Sequence, residues 1–379
     1  MSTSYDVAVV GLGAMGSAAT YHLARRGIRV LALEANTPGT ALGSSHGLSR
    51  IIREAHPEGD EYVPLVQHAY GLWEELAEET GRQLLVANGG LAIGRRDSAH
   101  VQGRLDSARR HDLRHELLSA QEVNYRYPAF TLPDELVAYF DPRAGVLAPE
   151  ACIAAHLEVA IRHGADLRYG EPVLEWRPNG DGVRLKTDRE TYHAGRLAVT
   201  TGPWAGELLA DLHLPLTTER IVNAHFDVLR PEDFTAENCP VYQLSVGEGY
   251  YYGFPAFPGQ GIKLGAYNDC ESCTPETIRR TVDAAEVGDI RNTFDRYLPA
   301  AVGAARWALT CMYTSTPDGH FIIDHHPASE HVLCAVGFGG RGFKFSSVVG
   351  EIVADLAITG RTGHPIEFLS ATRFGRVSA

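Results

Sequence analysis

Two glycine-rich stretches and one cysteine carry the chemistry that can be read in this chain. Gly11-Leu12-Gly13-Ala14-Met15-Gly16 follows the apolar run Asp6-Val7-Ala8-Val9-Val10, and Glu34 ends a second run, Val30-Leu31-Ala32-Leu33. Gly11 permits a tight turn, Gly13 lets the backbone approach a pyrophosphate, and Gly16 lets a helix pack closely on a strand. Glu34 can accept hydrogen bonds from an adenosine ribose and would repel a ribose phosphate, which argues against NADP. Strand, turn, helix, strand and acid in this order read as a dinucleotide site; the fingerprint alone does not choose between FAD and NAD. Near the other end, Cys311-Met312-Tyr313-Thr314 leads through Pro317-Asp318-Gly319 to an apolar strand, then to Gly337-Phe338-Gly339-Gly340-Arg341-Gly342-Phe343-Lys344-Phe345 and a helix. A cysteine in a polar turn, a glycine-rich loop and a helix N-terminus make sense together around a bound ring system.

Cationic side chains set among apolar ones mark an anion site. Small residues, Gly43-Ser44-Ser45-His46, lead into Arg50-Ile51-Ile52-Arg53. Arginines flanked by isoleucines suit a buried anion better than a solvated face. Lys263 lies between Ile262 and Leu264 and is either a snorkelling surface cation or a buried one. The whole chain is acidic, with a formal net charge of -13 over 379 residues, which argues against a general nucleic-acid or membrane-surface binder but not against a local cationic pocket. No apolar run approaches a membrane span, the N-terminal stretch from Met1 lacks a basic flank, and six scattered cysteines fit a reduced, cytoplasmic setting.

Periodicity supplies the elements that must position these groups. A helix after Gly16 carries Ala18, Ala19, Leu23 and Ala24 on its apolar side and stops at Gly27. An amphipathic helix is expected over 62–76, a strand over 89–94, a helical surface excursion from about 97 to 122, and an alanine-rich helix over 151–163. Strands follow near 166–168, 173–176, 182–187 and 196–204. From Leu214 to Gly265 alternation and frequent aromatics suit a large antiparallel sheet, and 275–297 reads as helix-rich. The expected class is α/β (α+β), a Rossmann-like nucleotide domain with an inserted antiparallel-sheet substrate domain. Its boundaries are 1–80, 140–214 and 300–379 for the nucleotide domain, and 81–139 and 215–299 for the substrate domain.

In that order along the chain, the N-terminal fingerprint, Gly43-Ser44-Ser45-His46 with Arg50 and Arg53, Tyr252-Gly253-Phe254-Pro255, Lys263-Leu264-Gly265, Cys311-Met312-Tyr313-Thr314 and Gly342-Phe343-Lys344-Phe345 form a known pattern. The chain resembles the monomeric sarcosine oxidase and N-methyltryptophan oxidase family, within the D-amino-acid-oxidase-like flavoproteins, over nearly its whole length. The resemblance implies FAD attached by a thioether to Cys311, with Gly11, Gly13, Met15, Gly16, Glu34, Ser44, Arg50, Gly342 and Lys344 in the cofactor site. It implies that Lys263 promotes reaction with oxygen, that Arg53 and Lys344 hold a substrate carboxylate, and that Tyr252 and Tyr313 flank the amine. Arg50 lies close to the flavin. A helix starting near Ser346 points its positive end at the ring. No metal is implied.

Two positions depart from the family. Tyr267 and Arg341 stand where its best-known members carry histidines, and both border the implied substrate pocket. The implied activity is therefore an oxidase of secondary amines, N-methyl or cyclic amino acids, that yields an imine and hydrogen peroxide, without a chosen side chain. An FAD-linked amino acid dehydrogenase, a glycated-amino-acid oxidase and a non-catalytic flavin-binding subunit remain as alternatives. The expected partners are a small amino acid and oxygen, with no nucleic acid or membrane, and the family leans to monomers. Cys270-Glu271-Ser272-Cys273 lacks the second pair a zinc site needs and reads as a loop coincidence, with a labile disulfide as the second reading, and His325-His326 is assigned to solvent or loop packing.

Overall fold

The computed structural model describes residues 4–375 except 248 and 269. Met1, Ser2 and Thr3 of the N-terminal stretch lie outside the described residues. Ser4–Val10 forms the centre of a parallel core, paired on one side with Val30–Glu34 and on the other with Thr191–Val199. Asp166–Tyr169 extends it beyond Val30–Glu34, and Ser329–Val336 beyond the C-terminal half of Thr191–Val199. Val173–Pro178, Val183–Thr187 and Ile322–His326 add antiparallel edges, which completes eight strands. The apolar runs become strands because both faces are covered: Val7 to Val10 and Val30 to Leu33 are all buried.

The helix after the glycine turn, Ala14–Arg25, was expected to bury one side. It is buried almost throughout, because helices Pro149–Arg162 and Ser346–Thr359 both pack on it. Its small residues allow two neighbours instead of one. The helix Tyr62–Thr80 joins the same layer and ends at Gly81 in the left-handed region (φ 65°).

A second sheet of nine strands runs Glu271–Ser272, Thr217–Phe226, Ile262–Ala266, Gly249–Gly253, Val241–Val246, Gly90–Arg95, Leu136–Asp141, Glu116–Ser119, with Ala305–Ser315 also paired to Thr217–Phe226. It is antiparallel except where Val241–Val246 meets Gly90–Arg95. The alternation over 214–265 was thus a sheet, as read. Three local readings differ. The 97–122 excursion is a helix (Ala99–Arg110), a strand (Glu116–Ser119) and a second helix from Ala120, which Ser119 and Glu122 open with a capping box. Helix occupies only Ala284–Tyr297 of the 275–297 stretch. Cys311 lies inside an eleven-residue strand, opposite Ile221, rather than in a turn; Ala305–Ser315 is long because it pairs along the whole of Thr217–Phe226. That pairing also sets this part of 300–379 in the larger sheet.

A small sheet, Arg50–Ile52, Gly145–Leu147 and Leu85–Val86, lies apart from the two large ones and holds Arg50 in place. Among the described residues no helix is long and apolar enough to cross a membrane.

Candidate active site

The turn after Ser4–Val10 is shaped by contact distances. Gly11 sits at φ 90°, a conformation that costs an L side chain, and a Cβ there would lie 2.8 Å from the Thr200 carbonyl oxygen. A Cβ on Gly16 would lie 1.8 Å from the Gly11 carbonyl oxygen, so only glycine lets the helix start this close to the strand. Gly13 has no side chain to cap the helix; Ser45 Oγ from the next loop accepts from the Ala14 N–H at 3.2 Å, and the rest of the helix start faces the cavity. Glu34 braces the turn: one carboxylate oxygen accepts from the Leu12 N–H at 2.9 Å and the other from the Asn36 N–H at 2.9 Å.

These groups line a cavity of about 770 Å³, with Gly11, Gly13, Met15, Glu34, Ser44, Arg50, Tyr313 and Gly342 in its wall. Gly16 sits behind the wall, and Cys311, Lys263, Tyr252, Arg53, Lys344, Tyr267 and Arg341 stand outside it. One buried hydroxyl in the wall, Thr201 Oγ1, has no hydrogen-bond partner in the protein. A helix N-terminus, a bare glycine turn and an unmatched donor fit the phosphates and polar edges of a large dinucleotide.

The 43–50 loop connects cavity and large sheet. Arg50 donates to the carbonyls of Ser44 (2.9 Å), His46 (2.6 Å) and Ser49 (2.8 Å), and reaches Cys311 Sγ at 3.9 Å. His46 ties the loop to the Thr310 carbonyl at 2.9 Å. Lys263 rises from the neighbouring strand, 4% exposed, and donates from Nζ to the carbonyls of Gly47 (2.7 Å) and Ser49 (3.1 Å). Burial, then the charge of Arg50, holds its ammonium well below the usual lysine range. Lys263 is the buried cation of the two readings its sequence setting allowed.

Glu150 completes the loop and was not foreseen. Its carboxylate accepts from the Gly47 N–H at 2.7 Å and the Leu48 N–H at 3.1 Å, beside a Leu48 held at φ 69°. A left-handed leucine costs about 1–3 kcal/mol, so this anchoring is what keeps the loop in shape. In the sequence Glu150 looks only like an acid at a helix start, after Pro149.

The tyrosine pair is set by sheet register. Asn223 and Tyr252 lie on strands either side of Gly265, both in register with it. A Cβ on Gly265 would lie 2.3 Å from the Tyr252 ring, so the bare glycine lets Tyr252 cross the strand and donate to Asn223 Oδ1 at 2.9 Å. The Tyr252 and Tyr313 hydroxyls are 3.3 Å apart. Burial raises both, Tyr252 to about 12, so both stay protonated near neutral pH. Tyr267 packs beside Tyr313 at 5.9 Å between ring centroids and donates to Glu219 at 2.8 Å.

Arg53, Lys344 and Arg341 converge on a carboxylate that the sequence reading missed, Glu58. Arg53 meets Glu58 Oε1 at 2.7 Å and Arg341 meets the same oxygen at 3.3 Å. His56 faces the other oxygen at 3.2 Å. Burial opposes the Glu58 charge, yet Arg53 beside it holds the carboxyl well below the ordinary range. Lys344 is buried and donates to the Arg341 carbonyl at 2.8 Å; burial first, then Arg53, pushes its ammonium well down. Glu58 carries no motif in the sequence that would mark it.

Other sequence expectations fall away from this site. His325 and His326 end the strand Ile322–His326 rather than lie in a loop: His326 is buried, 5.2 Å from the Trp176 ring between centroids and 3.0 Å from Asp211 Oδ2, and His325 faces the Glu330 carbonyl. Cys270 and Cys273 flank the two-residue strand Glu271–Ser272 at the rim of the large sheet.

Fold and cavity together define a dinucleotide-binding oxidoreductase. The chain belongs to the DAO family of FAD dependent oxidoreductases, whose model matches residues 6–356. It is 46% identical to a monomeric sarcosine oxidase of Streptomyces avermitilis, over 100% of both chains. It is 34% identical to an N-methyl-L-tryptophan oxidase of Yersinia pestis, covering 98% of this chain and 99% of that one. Among solved structures, NikD, described as an unusual amino acid oxidase essential for nikkomycin biosynthesis, aligns with a TM-score of 0.86 at 27% identity, covering 97% of each chain. The cavity's cofactor is therefore FAD, and the sequence choice between FAD and NAD is resolved.

Proposed function

We propose that this protein is an oxidase of secondary amines, N-methyl or cyclic amino acids, which forms an imine and hydrogen peroxide. The observation that carries the reading is Lys263, a buried amine that donates to two carbonyls, lies 4.9 Å from the Phe254 ring centroid and has no carboxylate partner among the described residues, at the loop that carries Arg50 beside Cys311. The names of the relatives, sarcosine oxidase and N-methyl-L-tryptophan oxidase, support the same class of substrate. Bound FAD supplies the electron acceptor for the C–N oxidation and the route to oxygen.

The chain's own residues do the rest. Arg53 and Lys344 bind the substrate carboxylate, with Glu58 as the ion Arg53 must release or share. Tyr252, fixed by Asn223, and Tyr313 flank the amine and exclude water from the carbon that loses hydrogen. Tyr267 and Arg341 border the side-chain end of the pocket. Lys263 offers its Nζ to oxygen, and the negative charge that develops as oxygen is reduced favours the ammonium form that burial disfavours. The imine then leaves and hydrolyses to an aldehyde and an amine, or persists when cyclic.

FAD is covalently held, in this reading, through Cys311 Sγ. The support is the thiol's burial and its place 3.6 Å from the Ser44 carbonyl in the loop that lines the cavity. In this reading the nucleotide unit comprises 1–80, 140–214 and 300–379, apart from Ala305–Ser315, which joins the sheet of the substrate unit, 81–139 and 215–299. The protein acts as a cytoplasmic monomer on a small amino acid and oxygen. The test is acid precipitation of the purified protein: a yellow pellet and a flavin-sized mass increase on the Cys311 peptide are expected. Free FAD in the supernatant with an unmodified peptide would overturn the covalent link.

A further inference from the structure

Outside the proposed catalytic set, two imidazoles and a carboxylate meet on one face. His68 comes from the helix Tyr62–Thr80, Glu351 from the helix Ser346–Thr359, and His364 from the segment beyond the left-handed cap Gly360. His68 Nε2 lies 2.6 Å from Glu351 Oε2, and His364 Nε2 lies 3.0 Å from the same oxygen. The three candidate ligand atoms all lie within 4.8 Å of one another. The two rings stand 4.8 Å apart at 60°, so both edges face one point rather than stack.

We propose that His68, Glu351 and His364 form a binding site for a divalent transition-metal ion of the Zn²⁺ type. Two neutral imidazoles and one carboxylate are ligands that zinc takes at roughly 2.0–2.2 Å, with a fourth position left to water. The exposure suits that coordination: the side chains of His68, Glu351 and His364 are 45%, 20% and 19% exposed. Small rotamer changes bring three atoms at this spacing onto one ion. The ligand that most needs orientation already has it. Arg26 lies 3.8 Å from the second Glu351 oxygen and is itself neutralised by Asp355 at 2.6 Å. Asp355 also accepts from Thr362 Oγ1 at 2.8 Å, which holds the segment carrying His364 against the helix.

The bound ion would fasten that C-terminal segment to two helices of the nucleotide layer. Without it, both imidazoles donate from Nε2 to the one carboxylate; binding moves each ring proton to Nδ1 and frees the Nε2 lone pair for the ion. It does not depend on the amine-oxidase reading, because no residue of the cluster belongs to the proposed catalytic set.

The test uses the FAD-loaded protein, dialysed against chelator and then titrated. Calorimetry with Zn²⁺ is expected to show one site per chain at micromolar concentration, and Co²⁺ to give the visible absorption of a low-coordinate nitrogen–oxygen site. Zn²⁺ should also raise the melting temperature. His364→Ala and Glu351→Gln should each weaken binding at least 30-fold, with flavin content unchanged. Should either variant fold poorly, His68→Ala at the most exposed ligand gives the same readout. An exposed histidine elsewhere, changed in His163→Ala, should leave binding intact. Absence of stoichiometric binding, or binding that survives these ligand substitutions, would overturn the site.

Discussion

Around the glycine turn the cavity wall is mostly main-chain: the helix start at Gly13, a tight turn at Gly11, and Glu34 and Ser45 bracing the turn by accepting from the Leu12 and Ala14 N–H groups. Around Arg53 the equivalent work falls to side chains from separate stretches, with Glu58, Arg341, Lys344 and His56 meeting across the sequence. The first arrangement tolerates few substitutions because backbone contact distances set it. The second can be retuned one residue at a time, because each charge reaches in on its own stem. In the proposed roles, substrate preference is set at the second arrangement and cofactor binding at the first.

The largest effect is expected on the backbone side. Gly16→Val places carbon atoms where the Gly11 carbonyl already stands, 1.8 Å from the nearest new Cβ, and should leave no flavin-loaded protein. The ratio of flavin to protein absorbance measures it. Full loading in that variant would break the contrast, since the turn would then be as adaptable as the charge cluster.

Next comes Lys263→Met, a single charge in a dry site. It should lower kcat/KM for oxygen roughly 100-fold, while kcat/KM for the amine changes far less. Equal losses in both, measured at varied oxygen, would take Lys263 out of its proposed role.

The same contrast decides what can be read from sequence. The turn, its helix and Glu34 lie within one continuous stretch, so spacing alone located them. Lys263, Cys311, Tyr252 and Tyr313 came through resemblance, because a lone residue in a strand does not reveal what its neighbouring strands carry. Glu58 was missed although Arg53 is only five residues away, because no periodicity or motif marks a pair folded back within one loop. Glu150 and Asn223 were missed because each acts through partners set by tertiary register or by a loop crossing. Glu150, for example, reaches Gly47 over a hundred residues away in sequence. The two-sided burial of Ala14–Arg25 was hidden similarly, since small residues look the same whether one helix or two will cover them.

Within the charge cluster, Glu58→Gln sharpens the comparison. The substitution removes the carboxylate that competes for Arg53, and KM for a carboxylate-bearing amine should fall severalfold with kcat little changed. An unchanged KM would show that Arg53 reaches substrate without leaving Glu58.

The smallest expected effect is on stability at low pH, and it involves both regions. Burial lowers His22, under the nucleotide layer, to about 4, and lowers His56, in the charge cluster, to about 3, against an ordinary value of 6.5. Both folded values lie below the unfolded one, so the stabilisation is complete above about pH 6.5. It is lost as pH falls toward 4 and then 3, because the unfolded chain takes up the protons first. Denaturant midpoints between pH 7 and 4 should decline, and His22→Gln should make that decline shallower by about one proton. An identical slope in the variant would mean that His22 is not held neutral.

The central claim is oxidation of a secondary amine with oxygen as acceptor, and peroxide release measures it most directly. Purified protein in air-saturated buffer should produce hydrogen peroxide with sarcosine, another N-methyl amino acid or a cyclic amino acid, in amounts equal to the amine consumed. Amine consumption that requires an added artificial acceptor and yields no peroxide would contradict the account and make the protein a dehydrogenase.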